Sequence, residues 1–338
     1  MNRFTLIENE NNEIRQLIHS IKARFSYVED QTFLSEIGIL AHDLPRRLRA
    51  FIHDFRYFEE GKAYCIISGY PIDQQVIGNT PTHWAKTEDT NPAHDEEIFL
   101  MLCGTLLGDP IGWATQQAGA LVHNIMPMKC YENEQLGFSS KEALTWHVED
   151  AFHEYRGDYL GMMCMRNHQQ VPTVLGSISD ICLGEESVEV LFQPHYTIRP
   201  DNSHLETNNI SEEDSNRLQS CASDMKKREE KPDKIAVFYG DPKAPYMRLD
   251  PYFMDPPENP LAERAFNALI EQMETKLEEI ALDEGDLILV NNHRAVHGRV
   301  PFQANYDGND RWLKRINIVR DLSKSRDARQ SATARMIM

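Results

Sequence analysis

The stretch Gly285-Asp-Leu-Ile-Leu-Val-Asn-Asn-His-Arg-Ala-Val-His-Gly-Arg299 decides the fold. An apolar run follows the glycine, reads as a strand, enters a polar turn, and the chain then presents His297 just before Gly298. Runs of the same kind recur on either side of it: Leu121-Val-His-Asn-Ile-Met, Tyr159-Leu-Gly-Met-Met-Cys-Met, Thr173-Val-Leu-Gly-Ser-Ile, Ile235-Ala-Val-Phe-Tyr and Trp312-Leu-Lys-Arg-Ile-Asn-Ile-Val. Repeated short strands with turn signals between them predict a sandwich or jelly roll, not a doubly wound sheet. Neither a Gly-x-Gly-x-x-Gly nor a Walker loop is present, so nucleotide binding has no support.

Around this β texture the chain carries helices. Residues 4–60 show apolar residues at spacings of three and four, as in Leu44-Pro-Arg-Arg-Leu-Arg-Ala-Phe-Ile-His53, and predict a helical layer packed on something else. Lys62 to Pro71 reads as a strand closed by a turn, Glu96 to Leu107 as a helix, Gly108-Asp-Pro-Ile-Gly-Trp113 as a loop, and Pro260 to Ile280 as an amphipathic helix. Residues 201–231 are poor in apolar side chains. They predict a solvated insertion or, more sharply, a mobile lid. The last residues, 323–338, read as a polar tail, either frayed or a packing helix, without chemistry.

The 338 residues include 35 Lys and Arg against 53 Asp and Glu, a formal charge of −18. So acidic a balance disfavours nucleic acid and anionic lipid as partners. With 41% hydrophobic residues the chain can fill a sizeable core, and no run is long enough to span a bilayer or to act as a signal peptide. Cys65, Cys103, Cys130, Cys164, Cys182 and Cys221 are scattered without a Cys-x-x-Cys pair, the pattern of buried reduced thiols in a cytoplasmic protein.

The chemistry concentrates in Leu144-Thr-Trp-His-Val-Glu-Asp-Ala-Phe-His153. His147 and Glu149 are one residue apart, so in extended chain both project to the same face. Such a pair supplies two ligands of a mononuclear metal, and His297 is the distant candidate that would complete a two-histidine, one-carboxylate face. Downstream, Arg311 and Arg315 are four residues apart in a strand and share one side of it. Two arginines facing an apolar interior are costly unless each meets a carboxylate, a task that suits the planar guanidinium fork.

Together Trp146-His-Val-Glu-Asp-Ala-Phe-His153, Gly285-Asp-Leu-Ile-Leu-Val-Asn-Asn292, Val296-His-Gly-Arg299 and Asp310-Arg-Trp-Leu-Lys-Arg315 resemble the clavaminate synthase-like branch of the iron(II) and 2-oxoglutarate dependent dioxygenases, and within it the hydroxylases of free basic amino acids. The resemblance implies a mainly β protein with a helical cap (α+β), its core a double-stranded β-helix, the cupin-like jelly roll. Residues 1–60 would be the cap, 61–322 the dioxygenase domain with the lid, and 323–338 the tail. It implies that His147, Glu149 and His297 ligate Fe(II), that Arg311 pairs with the distal carboxylate of 2-oxoglutarate with Ser177 nearby, and that O2 is the oxidant. Arg315 would hold the α-carboxylate of the amino-acid substrate and Gln116 its amino group.

The side-chain end of the substrate falls to Leu249-Asp-Pro-Tyr252. Relatives that hydroxylate arginine place two acids there, one residue apart, and here the pair is Asp250 and Tyr252. One carboxylate with a phenol suits a compact ammonium better than a five-donor guanidinium. This favours hydroxylation of free L-lysine, at C4 over C3, with C3 hydroxylation of L-arginine or L-ornithine as the alternative and a non-catalytic jelly-roll binding protein as a remote one. Asp250 as a plain turn residue before Pro251 is the structural alternative. His293-x-x-x-His297 has zinc-helix spacing, but the run ahead of it reads as strand and no Glu follows His293. His168, His195 and His204 fall in loops and read as solvated, and Trp146 and Phe152 as packing residues.

Overall fold

Apolar strands that alternate little in polarity must be buried on both faces, and β11 (Leu287–Asn291) shows how. Ile288 and Val290 point between two facing sheets, whereas Leu287 and Leu289 point away into a helical layer. The structure, a computed structural model, describes residues 2–59, 61, 63–85, 91–204 and 225–338. In its eight-stranded sheet the order is β1 (Arg3–Thr5), β2 (Tyr64–Ser68), β11, β6 (Tyr159–Arg166), β13 (Trp312–Val319), β3 (Asp109–Trp113) and β14 (Met336–Ile337), with β4 (His123–Ile125) also paired to β13. The four-stranded sheet runs β10 (Glu278–Ala281), β7 (Pro172–Ser177), β12 (Ala295–Arg299), β5 (Leu144–His147). A separate hairpin joins β8 (Phe238–Asp241) to β9 (Ala244–Met247). The two facing sheets form the expected jelly roll.

Between the sheets lie Tyr64, Ile66, Leu160, Met162, Leu175, Ile288, Val290 and Leu313, all buried. Each such aliphatic side chain contributes on the order of 1.5–3 kcal/mol through removal from water. The other face of the large sheet is covered by helices Glu8–Lys22, Gln31–Leu40, Arg46–Tyr57 and His94–Thr105. In the last of these, residues Glu96 to Gly104 are all buried, as expected of a helix apolar nearly all round. The outer face of the small sheet packs under helices Glu185–Leu191 and Pro260–Lys276 through Val296, Leu269 and Met273.

Several sequence expectations change. Asp109–Trp113, read as a loop because of its Pro and Gly, is strand β3, and it pairs with β13 on one side and β14 on the other. The long helix stops at Lys276 because Leu277 is extended (φ −62, ψ 137), and the chain continues as β10 against β7. The helical front end begins with β1, which adds in parallel to β2. The C-terminal residues are not loose. Arg329 is buried and donates to the carbonyls of Leu322, Ser331, Ala332 and Ala334, and β14 joins the sheet. Most of the expected lid, 205–224, lies outside the described residues, as does Cys221. Cys65, Cys103 and Cys164 are buried thiols, whereas Cys130 and Cys182 are exposed. Among the described residues no helix is long and apolar enough to cross a membrane.

One glycine sets the spacing on which the site depends. A Cβ on Gly298 of β12 would lie 2.6 Å from the Leu144 carbonyl oxygen and 2.9 Å from the Trp146 Cα, both backbone atoms of β5. Gly298→Ala is therefore expected to force β5 away from β12, lowering stability by about 2 kcal/mol in denaturant unfolding and weakening metal binding at His147 and His297.

Candidate active site

The ladder between β5 and β12 puts His147 directly opposite His297, with ring centroids 4.6 Å apart. The chain leaves the strand directly after His147, and Asp150 takes a left-handed conformation (φ 50). Asn292, at the turn after β11, clamps this segment. Its side chain accepts from the Glu149 N–H at 2.9 Å and donates to the carbonyls of Glu149 (3.0 Å) and Gly157 (2.8 Å). Val148 N–H donates to the Leu249 carbonyl at 2.8 Å, so Glu149 turns back toward the histidines.

Oε2 of Glu149 lies 3.1 Å from His297 Nε2 and 3.6 Å from His147 Nε2. It is buried and has no hydrogen-bond partner among the described residues. An orphaned carboxylate oxygen facing two imidazole nitrogens is a donor set fitted to a divalent metal, and three protein ligands leave positions open for other molecules. Burial alone would raise the Glu149 carboxyl. The Arg315 guanidinium and the two histidines instead hold it well below the usual carboxylate range, ready to ligate. Burial lowers His147, but Glu149 and Asp250 outweigh it and bring it to about 9, a proton that a bound metal would displace. His147 Nδ1 is 2.8 Å from the Thr145 carbonyl, which orients the ring so that Nε2 faces the centre.

Arg315 in β13 and Arg311, one residue before the strand begins, do share its interior side, on the same face as Leu313. Lys314, on the opposite face, pairs with Glu97 at 2.8 Å. Arg315 donates through Nη1 to Glu149 Oε1 and through Nη2 to His123 Nδ1 (2.9 Å) and Gln116 Oε1 (3.4 Å). Arg311 is different. It is buried, donates to Thr173 Oγ1 at 3.1 Å, leaves Nε unpartnered, and makes no ion pair among the described residues. Burial pushes its guanidinium down to about 10. A buried cation without an anion is a strongly unfavourable arrangement that a carboxylate ligand would relieve.

Other expected residues fall as follows. The Ser177 hydroxyl accepts from Ser179 N–H at 3.3 Å and caps a turn, so the hydroxyl beside Arg311 is that of Thr173, on the same face of β7. Gln116 faces the site, while Gln117 is turned to Asn124. His147, Glu149, Arg315, Asp250, Tyr252, Asp201 and Ser203 line one cleft. Asp250 is buried, but Tyr252 is 55% exposed and its ring packs on Phe253. His293 bonds to Asp158 at 2.6 Å and to the Tyr239 hydroxyl, so it is no ligand, and the zinc reading falls with it.

His204, read as a solvated loop residue, is completely buried. Its Nε2 is 3.0 Å from Asp150 Oδ1 and its Nδ1 2.6 Å from Thr115 Oγ1. Gln116 Nε2 donates to Ser203 Oγ at 2.6 Å, which ties the residues at the start of the 201–231 insertion to the arginine of the site. Thr173, His123, Asp201 and His204 were all missed in the sequence, because each is brought to the site from a remote segment and none belongs to a local motif.

Two histidines on paired strands of a jelly roll, with one carboxylate beside them, are the donor set of mononuclear non-haem iron oxygenases. Residues 185–317 match the family described as taurine catabolism dioxygenase TauD, TfdA family. The chain is 40% identical over 345 residues to the L-ornithine/L-arginine 3-hydroxylase of Catenulispora acidiphila, covering 100% of both. It is 39% identical to the enduracididine beta-hydroxylase of Streptomyces hygroscopicus, over 94% of each. The L-lysine 4-hydroxylase of Chitinophaga pinensis is more distant, at 27% identity over 89% of this chain and 76% of that one. Among solved structures, the non-heme iron oxygenase OrfP in complex with Fe, succinate and (3S)-hydroxy-L-Arg superposes with a TM-score of 0.95 at 40% identity, over 100% of both chains. The chain belongs to this family of Fe(II)/2-oxoglutarate-dependent oxygenases, related to clavaminate synthase and to the hydroxylases of free basic amino acids. It is an enzyme, and its cofactor and cosubstrates are Fe(II), 2-oxoglutarate and O2.

Asn292→Ala keeps all metal ligands but frees the Glu149 segment. It is expected to weaken Fe(II) binding about tenfold in anaerobic titration, whereas Glu149→Ala should abolish stoichiometric binding.

Proposed function

We propose that this enzyme hydroxylates C3 of free L-arginine, or of L-ornithine, rather than L-lysine. The observation that carries the reading is the polarity of one cleft: a guanidinium, Arg315, beside the metal ligands, and two carboxylates, Asp250 and Asp201, on the same lining. An α-amino acid with a cationic side chain matches that order of charges. The lysine expectation counted only the acids near residue 250. Asp201 reaches the cleft from another segment, so the second carboxylate that a planar, multi-donor guanidinium requires comes from there and not from position 252. The similarity of the chain to an ornithine/arginine hydroxylase at 40%, against 27% to a lysine hydroxylase, supports the same substrate.

Bound iron and 2-oxoglutarate supply the oxidation: O2 contributes one oxygen to the substrate C–H and one to succinate, with CO2 released. The chain's own residues do the positioning. His147, Glu149 and His297 would hold the metal. Arg311, with Thr173, takes the distal carboxylate of 2-oxoglutarate. Arg315 takes the substrate α-carboxylate, Gln116 its amino group, and Asp250 with Asp201 its guanidinium. Fixing both ends of the amino acid selects which carbon faces the metal, so regiochemistry follows from geometry. Trp146 and Phe152, both buried beside the ligands, exclude water.

The test offers the loaded enzyme arginine, ornithine and lysine in competition, with the added oxygen detected by mass spectrometry and located by NMR. Hydroxylation at C3 and a kcat/KM for arginine at least about tenfold above that for lysine are expected, equivalent to about 1.4 kcal/mol of discrimination. Preference for lysine would overturn the reading. Burial raises the Asp250 carboxyl to about 7, against the opposing influence of His147. The group is charged above that pH and neutral below it, so KM for arginine is expected to rise as pH falls through about 7. Asp250→Asn should raise KM and flatten that limb.

A further inference from the structure

His123 lies opposite Arg315 in the ladder between β4 and β13. Its ring is buried, with Nε2 3.0 Å from the Ala120 carbonyl and Nδ1 2.9 Å from Arg315 Nη2. A carbonyl only accepts and a guanidinium only donates, so the proton is on Nε2 and the lone pair of Nδ1 faces Arg315. The imidazole is therefore neutral, in keeping with burial and the neighbouring Arg315, which push its pKa down to about 3.

The other partners of Arg315 explain why neutrality matters. Nη1 donates to Glu149, whose negative charge a bound metal would share, and the Gln116 contact is long, at 3.4 Å. A carboxylate in place of His123 would bind the guanidinium more strongly but would cancel the charge that attracts an incoming carboxylate. A neutral acceptor fixes the direction of Nη2 and leaves the positive charge to the ligand.

We propose that His123 is a positioning residue for substrate binding, a neutral acceptor that orients Arg315 toward the α-carboxylate of the amino acid without neutralising it. This rests on the role of Arg315 set out under Proposed function. The residue itself belongs to no motif: it sits in a short strand, and only the register of β4 on β13 brings it to the site.

The experiment measures KM for arginine and KM for 2-oxoglutarate separately, in the iron-loaded enzyme, for three variants. His123→Leu removes the acceptor and is expected to raise KM for arginine about tenfold or more, with KM for 2-oxoglutarate within about twofold of wild type. His123→Asn places an amide oxygen near the position of Nδ1 and is expected to restore KM for arginine to within about threefold of wild type. His123→Asp has the same shape with an added charge and is expected not to restore it. Equal KM values in the Asn and Asp variants, an unchanged KM for arginine in the Leu variant, or parallel rises in both KM values would overturn the proposal. If the Leu variant does not fold, the Asn and Asp pair decides alone. Arg315→Lys separates the two levels: an unchanged KM for arginine there contradicts the role of Arg315, whereas a raised KM with unaffected His123 variants contradicts only the role of His123.

Discussion

Two guanidinium groups on the interior face of one strand are the constraint around which this structure is arranged. Arg315 in β13 and Arg311, one residue before the strand begins, lie on the same face as Leu313, between two sheets whose interior is otherwise largely apolar. Positive charge in such a place is tolerated only with nearby acceptors or anions. Arg315 has Glu149, Gln116 and His123. Arg311 has one hydroxyl, that of Thr173, and no ion pair among the described residues. The provision is unequal: Arg315 is already joined to a carboxylate of the metal site, whereas Arg311 meets only a hydroxyl.

The rest of the site follows from how the strands bring distant segments to β13. The β5–β12 ladder sets the two histidines face to face, Gly298 allows the approach, and Asn292 turns Glu149 back toward them. Through Gln116, Ser203 and His204 the same network reaches the beginning of the 201–231 insertion. Glu149, Arg315, His123, Gln116, Ser203, His204 and Asp150 thus form one connected set of polar contacts, and a change in one partner is felt by the others.

How much of this was legible in the sequence depended on range. His147, Glu149 and Gly298 sit in short motifs whose spacing carries meaning, and the strand that presents Arg311 and Arg315 is long and apolar. These could be read locally. Strand β3 could not, because Pro110 and Gly112 gave turn chemistry to a segment that pairing with β13 and β14 holds extended. Ser177 was expected beside Arg311 from the resemblance alone, and only the register of the strands shows that the hydroxyl there is that of Thr173. His204 looked like a loop histidine and is completely buried. The charge of the cleft was undercounted for the same reason: the lysine expectation weighed only the acids near residue 250, and Asp201, far from Asp250 in the chain, lines the same cleft.

The central claim is that Arg311 is kept without an anion so that it can take 2-oxoglutarate, while Arg315 serves the amino acid. The most direct measurement is anaerobic equilibrium binding of 2-oxoglutarate and of L-arginine to the iron-loaded Arg311→Met variant. The expected result is an affinity for 2-oxoglutarate lower by about a hundredfold, in line with loss of a buried charge-assisted contact, with arginine binding to the iron-loaded protein little changed. Retained 2-oxoglutarate affinity, or loss of arginine binding instead, would contradict the account.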